Sequence, residues 1–113
     1  MLMIDDSSDA DLARAVTARK PGSAEAAESA LYRRFAPRVR LYGLRHLRNE
    51  DAASDLAQQV MLVTIEKLRD GLVRDLDQIA SFVLGLSRSM AKDIKRLLKV
   101  SQLEHAMGTD NKH

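Results

Sequence analysis

The residues of this chain that could do chemistry are its carboxylates, its three histidines and its many bases. Asp51 and Asp55 stand four apart, which puts two carboxylates on one face of a helix, the raw material of an acid–base pair. No nucleophile and no positioned histidine accompanies them, and such pairs are common on exposed helices. His46, His105 and His113 are far apart and have no metal-ligand spacing. The chain contains no cysteine, so it has neither a disulfide framework nor a thiolate metal site. The phosphate-cradling pattern GxxxxGK[ST] and the zinc pattern HExxH are both absent. No enzymatic activity, metal or cofactor is expected, and what remains is binding.

The bases point to one kind of partner. Net charge is only +2, but it is unevenly spread. Residues 31–48 hold six arginines (Arg33, Arg34, Arg38, Arg40, Arg45 and Arg48) and no acid. Residues 88–99 hold five bases against the single acid Asp93. Residues 1–30 are acidic, with six acids against three bases. Within the late segment, Arg88, Lys92, Lys95 and Lys99 recur at steps of four, three and four, with Arg96 beside them. That rhythm gathers positive charge on one side of a helix, as a surface meeting a polyanion requires. The bland alternative is a solvated basic face.

A second candidate surface lies in Asn49–Arg69. Ala53, Leu56, Ala57, Val60, Val63, Thr64 and Leu68 follow the spacing of one helix face. Asp55, Gln58, Gln59, Leu62 and Glu66 run down the other. A carboxylate, two amides and an outward leucine differ from the Lys/Glu dressing of a merely soluble helix, so this face is read as one that meets a partner. The alternative is again a solvated surface.

Four helices position these residues. Ser8 with Asp11 has capping-box spacing and starts a helix to about Ala18 that buries Leu12 and Val16. Lys20-Pro21-Gly22-Ser23 is a break, with Ser23 expected to cap the second helix. That helix carries Ala27, Leu31, Phe35, Val39 and Tyr42 on one face and a kink near the internal Pro37. The third opens on the N-cap Asn49 and closes at Asp70-Gly71. A connection over 71–77 offers Asp75 or Asp77 as the cap of the fourth helix, whose expected core row is Ile79, Val83, Leu86, Met90, Ile94 and Leu97. The fold class is therefore all-α, a compact bundle of about four helices. The expected organisation is an N-terminal tail over 1–7, a helical domain over 8–100 and a frayed tail over 101–113. No signal peptide is evident at the N-terminus, no apolar run reaches the ~20 residues that span a bilayer, and a cytoplasmic location without membrane attachment is the expectation.

Placed in order, these segments resemble the region 2 domain of bacterial RNA polymerase sigma factors of the extracytoplasmic-function group. The family's opening Asp-x-x-Leu is matched by Asp9 and Leu12. Its Leu-Tyr-x-x-Phe/Tyr-x-Pro-x-Val stretch is matched by Leu31-Tyr32-Arg33-Arg34-Phe35-Ala36-Pro37-Arg38-Val39, internal proline included. Its acidic Asp/Glu-Asp-Ala-x-Asp-Leu-x-Gln-Glu-Val segment is matched by Glu50 to Val60, with one extra residue if Ala52 is the family alanine and none if Ala53 is. Its last helix resembles Phe82 to Arg96. The likeness covers about residues 9–99.

The resemblance implies a sigma region 2-like fold and a role in transcription initiation. It makes Asp55, Gln58, Gln59 and Leu62 candidates for docking on core RNA polymerase, at the clamp helices of the largest subunit. It makes the last helix, with Arg88, Ser89, Lys92, Lys95, Arg96 and Lys99, and the loop before it the candidates for contact with the non-template strand of the minus-ten promoter element. An anti-sigma factor is a further implied partner. Gln59 replaces the family's glutamate and removes a charge from the docking face. Phe82 replaces its tryptophan, and Ser89 replaces its asparagine with a shorter hydrogen-bonding group. The last helix has no aromatic cluster on which splayed bases could stack. The competing expectation is a sigma-like interaction module that binds polymerase or an anti-sigma partner without melting DNA. The family's C-terminal helix-turn-helix does not fit after Lys99, so an excised domain and a short regulator are both expectations.

Overall fold

The structure is a computed structural model that describes the backbone of residues 6–110 and the side chains of residues 6–104. It contains four helices: α1 (Asp9–Ala18), α2 (Ser23–Leu47), α3 (Glu50–Arg69) and α4 (Ile79–Asp110), with a short 3-10 turn, Leu76–Gln78, before the last. No strand occurs among the described residues. The expected all-α bundle is what forms.

Local chemistry sets the helix ends. Ser8 Oγ accepts from the Asp11 N–H at 3.0 Å, and Asn49 Oδ1 accepts from the Ala52 N–H at 2.9 Å. Each satisfies a backbone donor that the first turn leaves without a helical partner. The start of α2 differs from expectation by one residue. Gly22, at φ +84°, is the N-cap, and Glu25 Oε2 accepts its N–H at 2.6 Å. At the end of α3, the Leu72 N–H reaches Lys67 O (2.8 Å) and the Gly71 N–H reaches Leu68 O (3.1 Å). This is the paired closure that a left-handed glycine makes possible, and Gly71 sits at φ +68°. Asp75, not Asp77, caps the 3-10 turn, accepting from the Asp77 N–H at 3.1 Å. Asp77 instead accepts from Arg14 of α1 at 2.6 Å, which ties the connection to the first helix.

α2 is the central element and packs against each of the other three helices. Six of its buried positions, Ala27, Leu31, Phe35, Val39, Gly43 and Leu47, step by four, with Ala24 and Ala30 buried beside them. Four residues turn 400°, so each step rotates the row by 40° and carries it around the helix from one partner to the next. α2 runs as one helix through Pro37, which is exposed. α3 delivers Ala53, Leu56, Ala57, Val60, Thr64 and Leu68 to the core as expected; Met61 is also fully buried, whereas Val63 is only half-buried.

Gly43 lets α2 and α3 approach closely. A Cβ at this position would lie 2.9 Å from Ala53 Cα and 3.2 Å from Leu56 Cδ2. At the other end of this helix pair, Arg69 grips Glu28 of α2 with two hydrogen bonds, of 2.8 and 2.5 Å. That hydrogen bonding, and then the charge of Glu28, raise the Arg69 pKa above its ordinary value.

α4 corrects the expected core row. Ile79, Val83, Ser87 and Ala91 are buried at steps of four, and Leu86, Met90, Ile94 and Leu98 are half-buried beside them. Leu97, expected inside, is 69% exposed. The row continues from Ile94 to Leu98, and Leu97 is turned 100° away from that residue. Ser87 is tolerated in the core because its hydroxyl donates to Val83 O at 2.7 Å. The helix also runs on to Asp110, past the end expected near residue 100. Most of the expected 1–7 tail and residues 111–113 of the C-terminal one lie outside the described residues.

Candidate functional site

Burial of the α3 core row turns the opposite side outward. Asp55, Gln58, Gln59, Leu62 and Glu66 are all exposed, Leu62 at 57%. Most neighbours in this set differ by three or four, so it forms one ridge along the helix. Beside it runs an open groove of about 650 Å³ between α2 and α3. Tyr32, Arg33, Ala36, Pro37 and Arg40 form its α2 bank, and Ser54 and Ala57 its α3 bank. Arg40 Nε donates to Ser54 Oγ across it at 3.3 Å. Helical periodicity does not reveal the α2 bank. Tyr32, Arg33 and Pro37 are visible in the sequence, but only the packing of α2 on α3 puts them next to Ser54.

On α4, all six candidate DNA-binding residues are exposed: Arg88, Ser89, Lys92, Lys95, Arg96 and Lys99. The structure divides them. Arg88, Lys92 and Lys95 line a crevice between α4 and the C-terminal half of α2. Ser89 and Arg96 lie outside it, and Lys99 extends the basic row a further turn. Ser89 does not lie beside the 71–78 connection. It is ten residues into α4, about 15 Å along the axis from Ile79. The connection itself is anchored by buried Val73 and by the Arg14–Asp77 pair, and it exposes Leu72, Arg74 and Asp75.

The electrostatics of the two sides differ. Acids pair with bases around α1 and the start of α2: Arg14 with Asp11 and Asp77, Arg34 with Asp9, and Arg69 with Glu28. Among the described residues, no carboxylate pairs with Arg88, Lys92, Lys95, Arg96 or Lys99. Exposed cations in a row can neutralise successive phosphates and so release the counterions condensed on a nucleic-acid backbone.

The crevice also holds two rings, both supplied by α2. Tyr42 and His46 stack with centroids 4.1 Å apart and planes tilted by 34°. They share the crevice with Arg88, Ala91, Lys92 and Lys95, within about 300 Å³. Phe82, the aromatic residue of α4, packs half-buried against the core instead.

No group of three or more metal-ligating side chains occurs among the described residues, and no described helix is long and apolar enough to cross a membrane. Comparison with protein-family models, with curated proteins and with solved structures finds no match to this chain.

Proposed function

We propose that this chain is a sigma region 2-like module of transcription initiation. It binds core RNA polymerase through the α3 ridge and the minus-ten element of promoter DNA through α4, in the cytoplasm and without catalysing a reaction. The observation that carries the reading is the pairing of two unlike surfaces on one small bundle. One is the acid-and-amide ridge Asp55–Gln58–Gln59–Leu62 beside an open groove, suited to a protein surface. The other is a row of cations without ionic partners among the described residues, suited to phosphates. The order of the motifs supports it further: Asp9 and Leu12 open α1, the proline-bearing stretch forms the middle of α2, Glu50–Val60 opens α3, and Phe82–Arg96 lies within α4. Retention of core RNA polymerase on the immobilised chain is the expected result of a pull-down, and its absence would remove the reading.

The half-burial of Phe82 favours a second reading, in which the module binds polymerase or an anti-sigma partner without melting promoter DNA. It leaves the outer face of α4 without an aromatic ring for an unpaired base. The two readings separate on single-stranded DNA, which the first requires the chain to bind and the second does not.

A further inference from the structure

Close packing leaves few voids larger than a water molecule inside a folded domain. Between α2 and α4 this chain keeps a partly open cavity of about 200 Å³. Phe35 and Val39 form its α2 wall, and Val83 and Leu84 its α4 wall. Ser87 also lines it, but its hydroxyl donates to Val83 O at 2.7 Å and is already satisfied. No buried side-chain polar atom among the described residues lacks a hydrogen-bond partner, so these walls offer a water molecule little to hold. A poorly hydrated apolar cavity favours an apolar occupant, which regains the contacts that a gap forfeits. The size suits a small one: an apolar cavity of about 150 Å³ in another protein takes up benzene.

The mouth is charged. The Arg38 guanidinium lies over the Phe35 ring, 5.4 Å from its centroid, and is thereby held at the cavity. Among the described residues, no carboxylate pairs with it. A guanidinium is planar, and its fork of donors fits a carboxylate with two parallel hydrogen bonds. Arg88 and Lys92 add positive charge in the adjoining crevice, which shares Tyr42 with the cavity.

We propose that this cavity is a binding site for a small apolar monocarboxylic acid. Its hydrocarbon part, an aromatic ring or a short alkyl chain, lies against Phe35, Val39, Val83 and Leu84, and its carboxylate sits on Arg38. The walls select for hydrocarbon and the guanidinium for the anionic end. A neutral ligand leaves the guanidinium unused, and a hydrophilic acid leaves the walls bare. The site does not depend on the polymerase and DNA reading.

The test is a methyl NMR titration of the full chain with three probes: phenylpropionate, phenylpropanol and acetate. Phenylpropionate should shift the Val39, Val83 and Leu84 methyl signals saturably and leave those of Leu68, at the end of α3, in place. It should bind roughly five-fold or more tighter than phenylpropanol, because the charge-assisted pair is strong but solvent screens it at the exposed Arg38. Acetate should not saturate. Arg38→Gln should bind acid and alcohol equally, at the parent's affinity for the alcohol. Ala80 is exposed and lines the opening, and Ala80→Phe, which places a ring there, should abolish binding of both.

Phenylpropionate that leaves the three sets of methyl signals unmoved, or moves those of Leu68 as far, would overturn the proposal, and that titration needs no variant. Equal binding of acid and alcohol by the parent would also overturn it. So would an acid preference that survives Arg38→Gln, or binding that survives Ala80→Phe in a chain with native Leu68 signals. Failure here with polymerase retained removes the cavity site alone. Loss of polymerase binding with phenylpropionate bound removes the docking reading and leaves the cavity site.

Discussion

Tyr42 and Gly43 are neighbours on α2, yet they belong to two different kinds of joint. Gly43 faces α3, where the helices meet almost backbone to backbone and a single methyl group would strike Ala53 Cα. Tyr42 faces α4, where the helices stand apart over a crevice of about 300 Å³ and, further along, an apolar cavity of about 200 Å³ lined by Phe35, Val39, Val83 and Leu84. A closed joint fixes the angle between two helices and thereby the direction of everything on their outer faces. An open joint keeps side chains accessible at the cost of packing. The α2–α3 pair is thus closed around Gly43 and opens on its outer side, at the groove of Tyr32 and Ser54, whereas the α2–α4 pair supplies a recess lined by bases and rings.

The contrast can be broken by the same truncation on each side. Leu56 is fully buried in the closed joint against Gly43, and Leu56→Ala should cost about 2–5 kcal/mol in denaturant unfolding. Leu84 stands 43% exposed at the rim of the open joint, and Leu84→Ala should cost less than about 1 kcal/mol. Equal costs would show that the two joints are packed alike. Next in size is overpacking: Gly43→Val should destabilise by about 1–3 kcal/mol, because the added methyls meet backbone that cannot turn aside.

Smaller effects sharpen the comparison at the surface. Lys92→Glu with Lys95→Glu should weaken single strands of any sequence and flatten the log–log salt dependence by roughly 0.7 for each phosphate no longer neutralised, with stability little changed. If the salt slope is unaffected, the row on α4 merely solvates the helix. Arg48 closes α2 at φ +52°, where a side chain is strained, and Arg48→Gly should stabilise by up to about 1 kcal/mol in thermal unfolding. Leu97→Ser should change stability by less than about 0.5 kcal/mol, since Leu97 is exposed and the adjacent Leu98 takes the core position.

Much of the fold was legible because its signals are local. Ser8, Asn49 and Gly71 act within three or four residues of themselves, and the Leu56–Val60–Thr64 row needs only helical periodicity to separate it from Asp55 and Gln59. Legibility failed where a second helix decides. Whether Leu97 or Leu98 is inside depends on where the neighbours of α4 lie, and both choices fit an amphipathic row. Ser87 reads as polar until its i−4 carbonyl bond and its burial are seen together. Gly43 reads as a weak helix former, whereas its role is the approach of α3. The site followed the same division. Exposure of the Asp55 ridge and of the basic row followed from periodicity, but the meeting of Tyr42 and His46 with Lys92 depends on how α2 crosses α4, across about 50 residues of chain.

The central claim is that the α3 ridge docks on core RNA polymerase, and the most direct measurement is the affinity of the chain for the core enzyme in three forms. The parent should bind. Asp55→Arg should abolish binding while moving the melting temperature little, because Asp55 is exposed and makes no ion pair among the described residues. Gln59→Glu, which introduces the charge that the proposed sigma likeness has at that place, should bind at least as tightly as the parent. A parent chain that does not bind core polymerase, or an Asp55→Arg variant that is folded and binds as well as the parent, would contradict the account.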